Sequence, residues 1–296
     1  MMKNGTPELV VVGHVAIDTN RFPHGMIEST IGGAPTYAGL AMAALGRRAG
    51  VVAKVGVDFT ERFPPLYSKF GVDTEGILVT GEHTTTFENI YDERGHRTQL
   101  CKYIAPGITP DDIPSSYLKS DGFYVSPLAD EVSPETVEKL KNDNTIMMDP
   151  QGLFRQIGDD GKVTIRSDVD LKPFLEHVDV VKLGRDEAEL MMREPKRLLE
   201  RLIEMGPKIA ILTQGEKPVL MLIGGKFHEI KSLRVDARDP TGAGDVWGSV
   251  FLARYIETRD AVGSANFASA AAGLKIKYKG PVGFPSQGEV LAAVSG

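Results

Sequence analysis

Asp239-Pro-Thr-Gly-Ala-Gly-Asp245-Val-Trp-Gly-Ser-Val-Phe251 is a loop of small residues that turns into a helix. Gly242, Ala243 and Gly244 carry no bulky side chain, so their backbone N–H groups can come close to an oxyanion. From Val246 onward Trp247, Val250, Phe251 and Tyr255 recur at helical spacing on one face. A loop of this kind presents unpaired N–H donors and the positive end of the helix dipole, which is the composition of an anion site. Asp245 stands where the anion would bind. A carboxylate there repels phosphate unless it takes a proton from an attacking hydroxyl, which is general-base chemistry. Read for structure alone, the same residues are a turn followed by an acidic first helical turn.

Outward from this stretch the chain alternates strand and helix patterns. Leu9–Ile17 reads as one buried strand running into a turn at Asp18-Thr-Asn20. Thr36–Leu45 reads as a helix stopped by Gly46, and Ala49–Val55 as the next strand. Further strands are expected at 122–126, 145–149, 178–183, 208–213 and 219–223, with helices near 133–142, 185–192 and 196–205. The alternation predicts an α/β fold: a mostly parallel sheet flanked by helices, with ligands outside the carboxyl ends of the strands. Residues 84–104 break it, because two polar, β-prone runs flank Asp92-Glu-Arg-Gly95 in the pattern of a hairpin. With no repeat, low-complexity tract or linker, residues 1–296 are expected to form a single domain.

Composition narrows the function. At 42% hydrophobic and 25% charged, the 296 residues can bury a full core without disulfide or metal staples. Cys101 is the single cysteine, which excludes an intrachain disulfide and a cysteine-rich metal site, and no secretory leader is seen; a cytoplasmic location is expected. No apolar run approaches the roughly 18 residues of a membrane span. The net charge of −6, with no basic cluster, argues against nucleic acid and for a small ligand. A nicotinamide-dependent oxidoreductase would need G-x-G-x-x-G after an early strand, and Gly13-His-Val-Ala-Ile-Asp18 does not supply it. A binding sensor without turnover would have little reason to keep an acidic residue facing the anion.

The string 239–251 resembles the signature D-[TPS]-T-G-A-G-D of the ribokinase/PfkB family of carbohydrate and nucleoside kinases. The resemblance implies a ribokinase-like fold in which a small β lid, built from excursions near 19–31 and 84–104, covers the substrate. It implies that Asp245 is the catalytic base and that Gly242, Ala243 and Gly244 form the anion hole. Gly32-Gly33-Ala-Pro-Thr-Tyr37, followed by a small-residue helix and Leu45-Gly46, is similar to the family's N-terminal motif. With it the resemblance assigns Asp18, Gly32 and Gly33 to the acceptor. Ribokinase-type sequences carry Asn where this chain has Tyr37, and a Tyr cannot make the paired amide contacts of an Asn. The plant and archaeal myo-inositol kinases look closer, and Thr84–Phe87, Ile108–Pro114 and Asp149-Pro-Gln151-Gly-Leu-Phe-Arg155 resemble them. Gln151 and Arg155 are therefore expected to meet the acceptor.

Three elements resemble the family's nucleotide side. Thr213-Gln-Gly215 is similar to T-x-G-x-x-G, with Pro218 in place of the last glycine. Lys182-Leu-Gly184-Arg-Asp186-Glu187 is similar to N-x-x-E, with Gly184 for the Asn; this places Lys182 by the nucleotide and Glu187 on water bound to magnesium. Asn266 matches a position lining the adenine pocket. The resemblance thus implies ATP as co-substrate, Mg2+, a monovalent cation near Asp239, and a homodimer through the lid. Myo-inositol is the expected acceptor, with sugars and nucleosides of the same family as alternatives.

Overall fold

Runs of Val, Ile and Leu with no polar face can be buried only between two helical layers, and the central sheet is made of such runs. A computed structural model describes residues 5–25, 27–60, 63–94 and 97–295. The chain begins with β1 (Leu9–Val12), β2 (Ala16–Arg21), β3 (Ile27–Gly32), α1 (Ala34–Ala44), β4 (Ala49–Val55), α2 (Val57–Thr60), α3 (Pro64–Phe70) and β5 (Asp73–Val79). The hairpin β6 (Thr85–Tyr91) and β7 (Arg97–Tyr103) follows, then β8 (Gly122–Val125), α4 (Pro134–Leu140), β9 (Thr145–Met148), β10 (Arg155–Ile157), β11 (Val163–Ile165) and α5 (Lys172–Leu175). Next come β12 (Val180–Gly184), α6 (Arg185–Met191), α7 (Pro195–Glu204), β13 (Ile209–Gln214), β14 (Lys217–Ile223) and β15 (Lys226–Ile230). Helices α8 (Ala243–Thr258), α9 (Ala261–Lys275) and α10 (Gln287–Ser295) close the chain.

The nine-stranded sheet has the order β15-β14-β13-β12-β9-β8-β1-β4-β5. All neighbours from β13 to β5 are parallel, and β14 and β15 extend the β13 edge as an antiparallel ribbon. Leu9, Val11, Val51 and Met147 pack with α1, α8 and α9, while Val10, Val12, Phe123, Val125, Ile146 and Met148 pack with α4 to α7. The period of two along each strand thus feeds two cores. On α8, Trp247, Phe251 and Tyr255 stack in sequence at 5.3 and 5.7 Å between ring centroids, as their spacing anticipates. Among the described residues no helix is long and apolar enough to cross a membrane.

The strand expected over 9–17 is two strands in two sheets. Gly13 breaks it with a φ of 154°, at a point where a Cβ would collide with the Ser126 carbonyl. Ala16–Arg21 then joins a four-stranded sheet of order β3-β2-β6-β7, so Asp18 lies within a strand and not in a turn. The alternation of side chains was legible, but the point of departure is set by the approach of a distant segment. In the small sheet β2 is antiparallel to β3 and parallel to β6, with Asp18 opposite Thr30 and Phe87, and Asn20 opposite Asn89. The excursions expected near 19–31 and 84–104 meet here; Met26 and the expected turn glycine Gly95 lie outside the described residues.

Buried polar groups hold the junction between the sheets. Glu131 accepts the backbone N–H of His14 at 2.6 Å, of Leu128 at 2.9 Å and of Ala129 at 2.6 Å. The His14 Nε2–H donates to Pro106 O at 3.1 Å, so Nδ1 accepts from the Thr85 hydroxyl at 2.8 Å. Glu131→Ala strips three backbone donors of their acceptor and is expected to lower the unfolding free energy by at least ~2 kcal/mol, read by urea denaturation. A loss below ~1 kcal/mol would show that water substitutes for the carboxylate.

Candidate active site

The carboxyl ends of β8, β9 and β12 converge on the first turn of α8, the position at which open α/β sheets bind ligands. Gly242 is the N-cap of α8 at φ 74°, and a Cβ there would run into the ring of Tyr37. Glycine at 242 is therefore required twice, by the left-handed turn and by the ring against it. Of the three amides expected to face an oxyanion, that of Ala243 already donates to Pro240 O at 3.1 Å.

Beneath this turn lies a buried ion pair. Lys182, on β12, places Nζ 2.5 Å from Asp149 Oδ2, and the Tyr124 hydroxyl donates to the same oxygen at 3.2 Å. A Cβ on Gly244 would stand 3.6 Å from Lys182 Nζ, so the ammonium lies just under the α8 N-terminus. Burial, and after it the charge of Asp149, push the Asp245 carboxyl up to about 7 against the pull of Lys182 and Arg155. Gln151 Nε2 donates to Asp245 Oδ1 at 3.4 Å and to Ser126 Oγ at 3.1 Å. A carboxyl group poised near neutrality at a helix N-terminus is suited to general-base work.

A cavity of about 1160 Å³ opens above Asp245, and Asp18, Gly33, Tyr37, Gln151, Arg155 and Gly242 are among its walls. Asp18 lies against Gly32, where a Cβ would strike its carboxylate. Arg155 donates to Leu128 O at 3.0 Å and sits 5.8 Å from the Phe87 ring centroid; burial lowers its pKa, and the carboxylates around it oppose that. The structure thus brings Asp245, Gly242, Asp18, Gly33, Gln151 and Arg155 to one space.

The residues expected on the nucleotide side lie elsewhere. Glu187, half-buried in the first turn of α6, folds back over Gly184, where a Cβ would meet its carboxylate at 2.5 Å. Burial and then Asp149 raise the Glu187 pKa. Thr213 donates to Leu183 O at 3.2 Å, Gly215 forms the tight turn between β13 and β14 at φ 64°, and Asn266 is exposed, donating to Val262 O of its own helix at 2.9 Å. None of these three lines the cavity. Thr84 is bound to Asp58, at 2.6 Å between Oγ1 and Oδ1, and Thr109–Asp112 form a capping box, so Thr84 and Ile108–Pro114 shape the scaffold, while Phe87, at the end of the first stretch, lines the cavity.

Sequence reasoning gave no role to three features. Asp149 was visible only as part of a string, yet after burial its charge is what most raises the pKa of Asp245. Asn20, Asn89 and Gln99 form a hydrogen-bonded amide row across β2, β6 and β7, at 3.1 and 3.0 Å, on the cavity wall. Lys275, wholly buried, reaches the loop before α8. Alternate polar residues on short β-prone runs were the only signal for the amide row, and the strand pairing that unites them is not local.

This fold and site define a phosphotransferase of the ribokinase type. A model of the pfkB family of carbohydrate kinases matches residues 6–287, and the chain belongs to that family. It is 29% identical over 258 residues to the cytidine kinase of Thermococcus kodakarensis, covering 85% of this chain and 90% of that protein. It is 26% identical over 250 residues to the inositol 3-kinase of Arabidopsis thaliana, covering 80% and 65%. Its fold is similar to that of Arabidopsis thaliana ribokinase complexed with ribose and ATP, with a TM-score of 0.81 at 16% identity over 98% of this chain and 99% of that one.

A raised carboxyl pKa has a sign in stability. The folded state holds the Asp245 proton more tightly than the unfolded chain does, so stability from this group is lost as pH rises from the ordinary 3.8 to about 7. Asp245→Asn, which cannot ionise, is expected to melt above wild type at pH 8, with the gap closing toward pH 5. Calorimetry at the two pH values checks this; a gap independent of pH would contradict the assigned ionisation.

Proposed function

We propose that this pfkB-family kinase transfers the γ-phosphoryl group of ATP to a ribose hydroxyl of a nucleoside. The observation that carries the acceptor is the amide row Asn20–Asn89–Gln99. It lies one strand repeat, about 7 Å, beyond Asp18 on the same face of the small sheet and lines the same cavity as Asp245. A ribose held by Asp18 directs a hydroxyl to Asp245 and its base toward the amides, whose donors and acceptors suit a base edge. The similarity to a cytidine kinase supports the same reading. A second reading, myo-inositol, is favoured by Tyr37 in place of Asn and by the similarity to an inositol kinase; a compact cyclic polyol would use the Asp18 row alone.

In this reaction Asp245 takes the proton of the acceptor hydroxyl as its oxygen attacks the γ-phosphorus and the bond to the β-phosphate oxygen breaks. Gly242 and Gly244 amides, with Ala243 shared, meet the phosphoryl oxygens, and Lys182 under the turn adds positive charge. Lys182, Thr213, Gly215 and Asn266 border the donor. Magnesium binds through few carboxylates and keeps its waters, and among the described residues no cluster of three ligating side chains is present. Glu187 is a carboxylate that would hold magnesium through the ion's waters, and the bound ion would supply positive charge against the donor phosphates. The small sheet acts as a lid that keeps water from the phosphoryl group.

Asp245→Asn is expected to lower kcat on the order of 10²–10⁴-fold with ATP binding nearly unchanged; a variant with a tenth of wild-type turnover would remove Asp245 from this role. The wild-type rate should rise with pH through about 7, and Asp149→Asn should move that limb to lower pH, because Asp149 raises the Asp245 pKa. A coupled assay with ATP and magnesium over cytidine, uridine, adenosine, ribose and myo-inositol tests the acceptor. The best nucleoside is expected to exceed ribose and myo-inositol in kcat/KM by at least about tenfold, because an acceptor lacking a base leaves the remaining donors and acceptors of the amide row without a ligand partner. Myo-inositol above every nucleoside would decide for the second reading.

A further inference from the structure

The loop that carries Gly242–Gly244 is bound along one side to the segment after α9. Arg238 N and Asp239 N donate to Ile276 O at 2.8 and 3.0 Å, and the Asp239 carboxylate accepts Thr241 N at 2.9 Å and Gly280 N at 2.7 Å. Between these segments sits the ammonium of Lys275, the last residue of α9, with its side chain wholly buried. It donates to Thr241 O at 3.0 Å, in the anion-site loop, and to Tyr278 O at 3.4 Å, in the other segment. Its third direction is taken by the face of Tyr37, 5.1 Å from Nζ to the ring centroid. The opposing charge is Asp239; burial lowers the lysine's pKa and Asp239 raises it.

The resemblance read from the sequence implies a monovalent cation near Asp239. The groups present do not fit one. Carbonyl oxygens from two adjacent loops beside a carboxylate are the donors a monovalent cation would use, and here a covalently attached ammonium already binds them. A second cation would face that charge at close range with Asp239 committed to two backbone amides. The same ammonium lies over Tyr37, whose ring closes against Gly242. The ring at 37 and the lysine at 275 therefore form one unit that fixes the N-cap of α8.

We infer that Lys275 is a positioning residue that acts as a built-in cation, holding the anion-site loop in register with α9 so that turnover needs no monovalent cation. Lys275 touches neither acceptor nor donor; it acts through Thr241 and Tyr37. The inference rests on the assignment of Gly242–Gly244 to the phosphoryl group, and its test includes a reading without turnover.

Wild type and Lys275→Ala are dialysed into N-methylglucamine buffer and compared with the same buffer containing 100 mM potassium or ammonium chloride, by kinase rate and by thermal unfolding without substrates. Wild type is expected to change less than twofold in kcat and to melt at the same temperature in all three. Lys275→Ala, which vacates the ammonium's space, is expected to lose at least tenfold in kcat in N-methylglucamine with little change in acceptor KM. Potassium or ammonium should restore fivefold or more of that loss and raise its melting temperature. Lys275→Met, which keeps the bulk without the charge, should be equally slow and unrestored. A wild type stimulated more than fivefold by potassium overturns the inference, and this arm needs no variant. So does a Lys275→Ala that keeps full turnover, or one that melts cooperatively yet responds to neither cation. If no acceptor is phosphorylated by wild type, the kinase reading fails, and the unfolding series still decides the role of Lys275.

Discussion

Two carboxylates and one ammonium share the buried space under the first turn of α8, and much of the site follows from how their charges are balanced. Asp149 and Lys182 pair at 2.5 Å and leave Asp245 as the acid that burial and Asp149 together push up to about 7. An isolated carboxylate at a helix N-terminus would be stabilised in its charged form by the dipole. Here desolvation and a neighbouring like charge outweigh that effect, and Lys182 opposes them only in part. The result is a base whose proton affinity matches neutral pH, in the place where an anion would otherwise be the natural occupant.

The backbone around these charges is fixed in part by close approaches of side chains to glycines. Tyr37 closes on Gly242 and also lies under the Lys275 ammonium. Glu187 folds onto Gly184 in the same manner. At both places the chain departs from the family's usual Asn, and at both another side chain fills the space beside a glycine.

The small sheet stands on its own hydrogen bonds but is joined to the central sheet through His14 and Glu131, whose partners include both a strand start at Thr85 and the chain leaving the hairpin at Pro106. A junction of this construction transmits the position of the small sheet to the carboxyl end of β1. It also places Asp18, one pleat into β2, over the same cavity as Asp245. The amide row farther out depends on the register between β2, β6 and β7, and a slip of one residue would turn all three amides away from the cavity.

By itself the sequence determined the alternation of strands and helices, the helical face of Trp247, Phe251 and Tyr255, and the loop that opens α8, because these depend on local periodicity and on which residues tolerate a tight turn. It also identified Asp245, Asp18, Gln151 and Arg155 as residues with something to do, through motif resemblance. Only the tertiary structure decided that residues 9–17 divide between two sheets, since at Gly13 a side chain would collide with the carbonyl of Ser126, just past β8 and more than a hundred residues away. Only it gave Asp149 its influence on Asp245, assembled Asn20, Asn89 and Gln99 into a row, and placed Lys275 between two loops. Charge coupling, cross-strand register and burial are properties of distance in space, and separation along the chain carries no record of them.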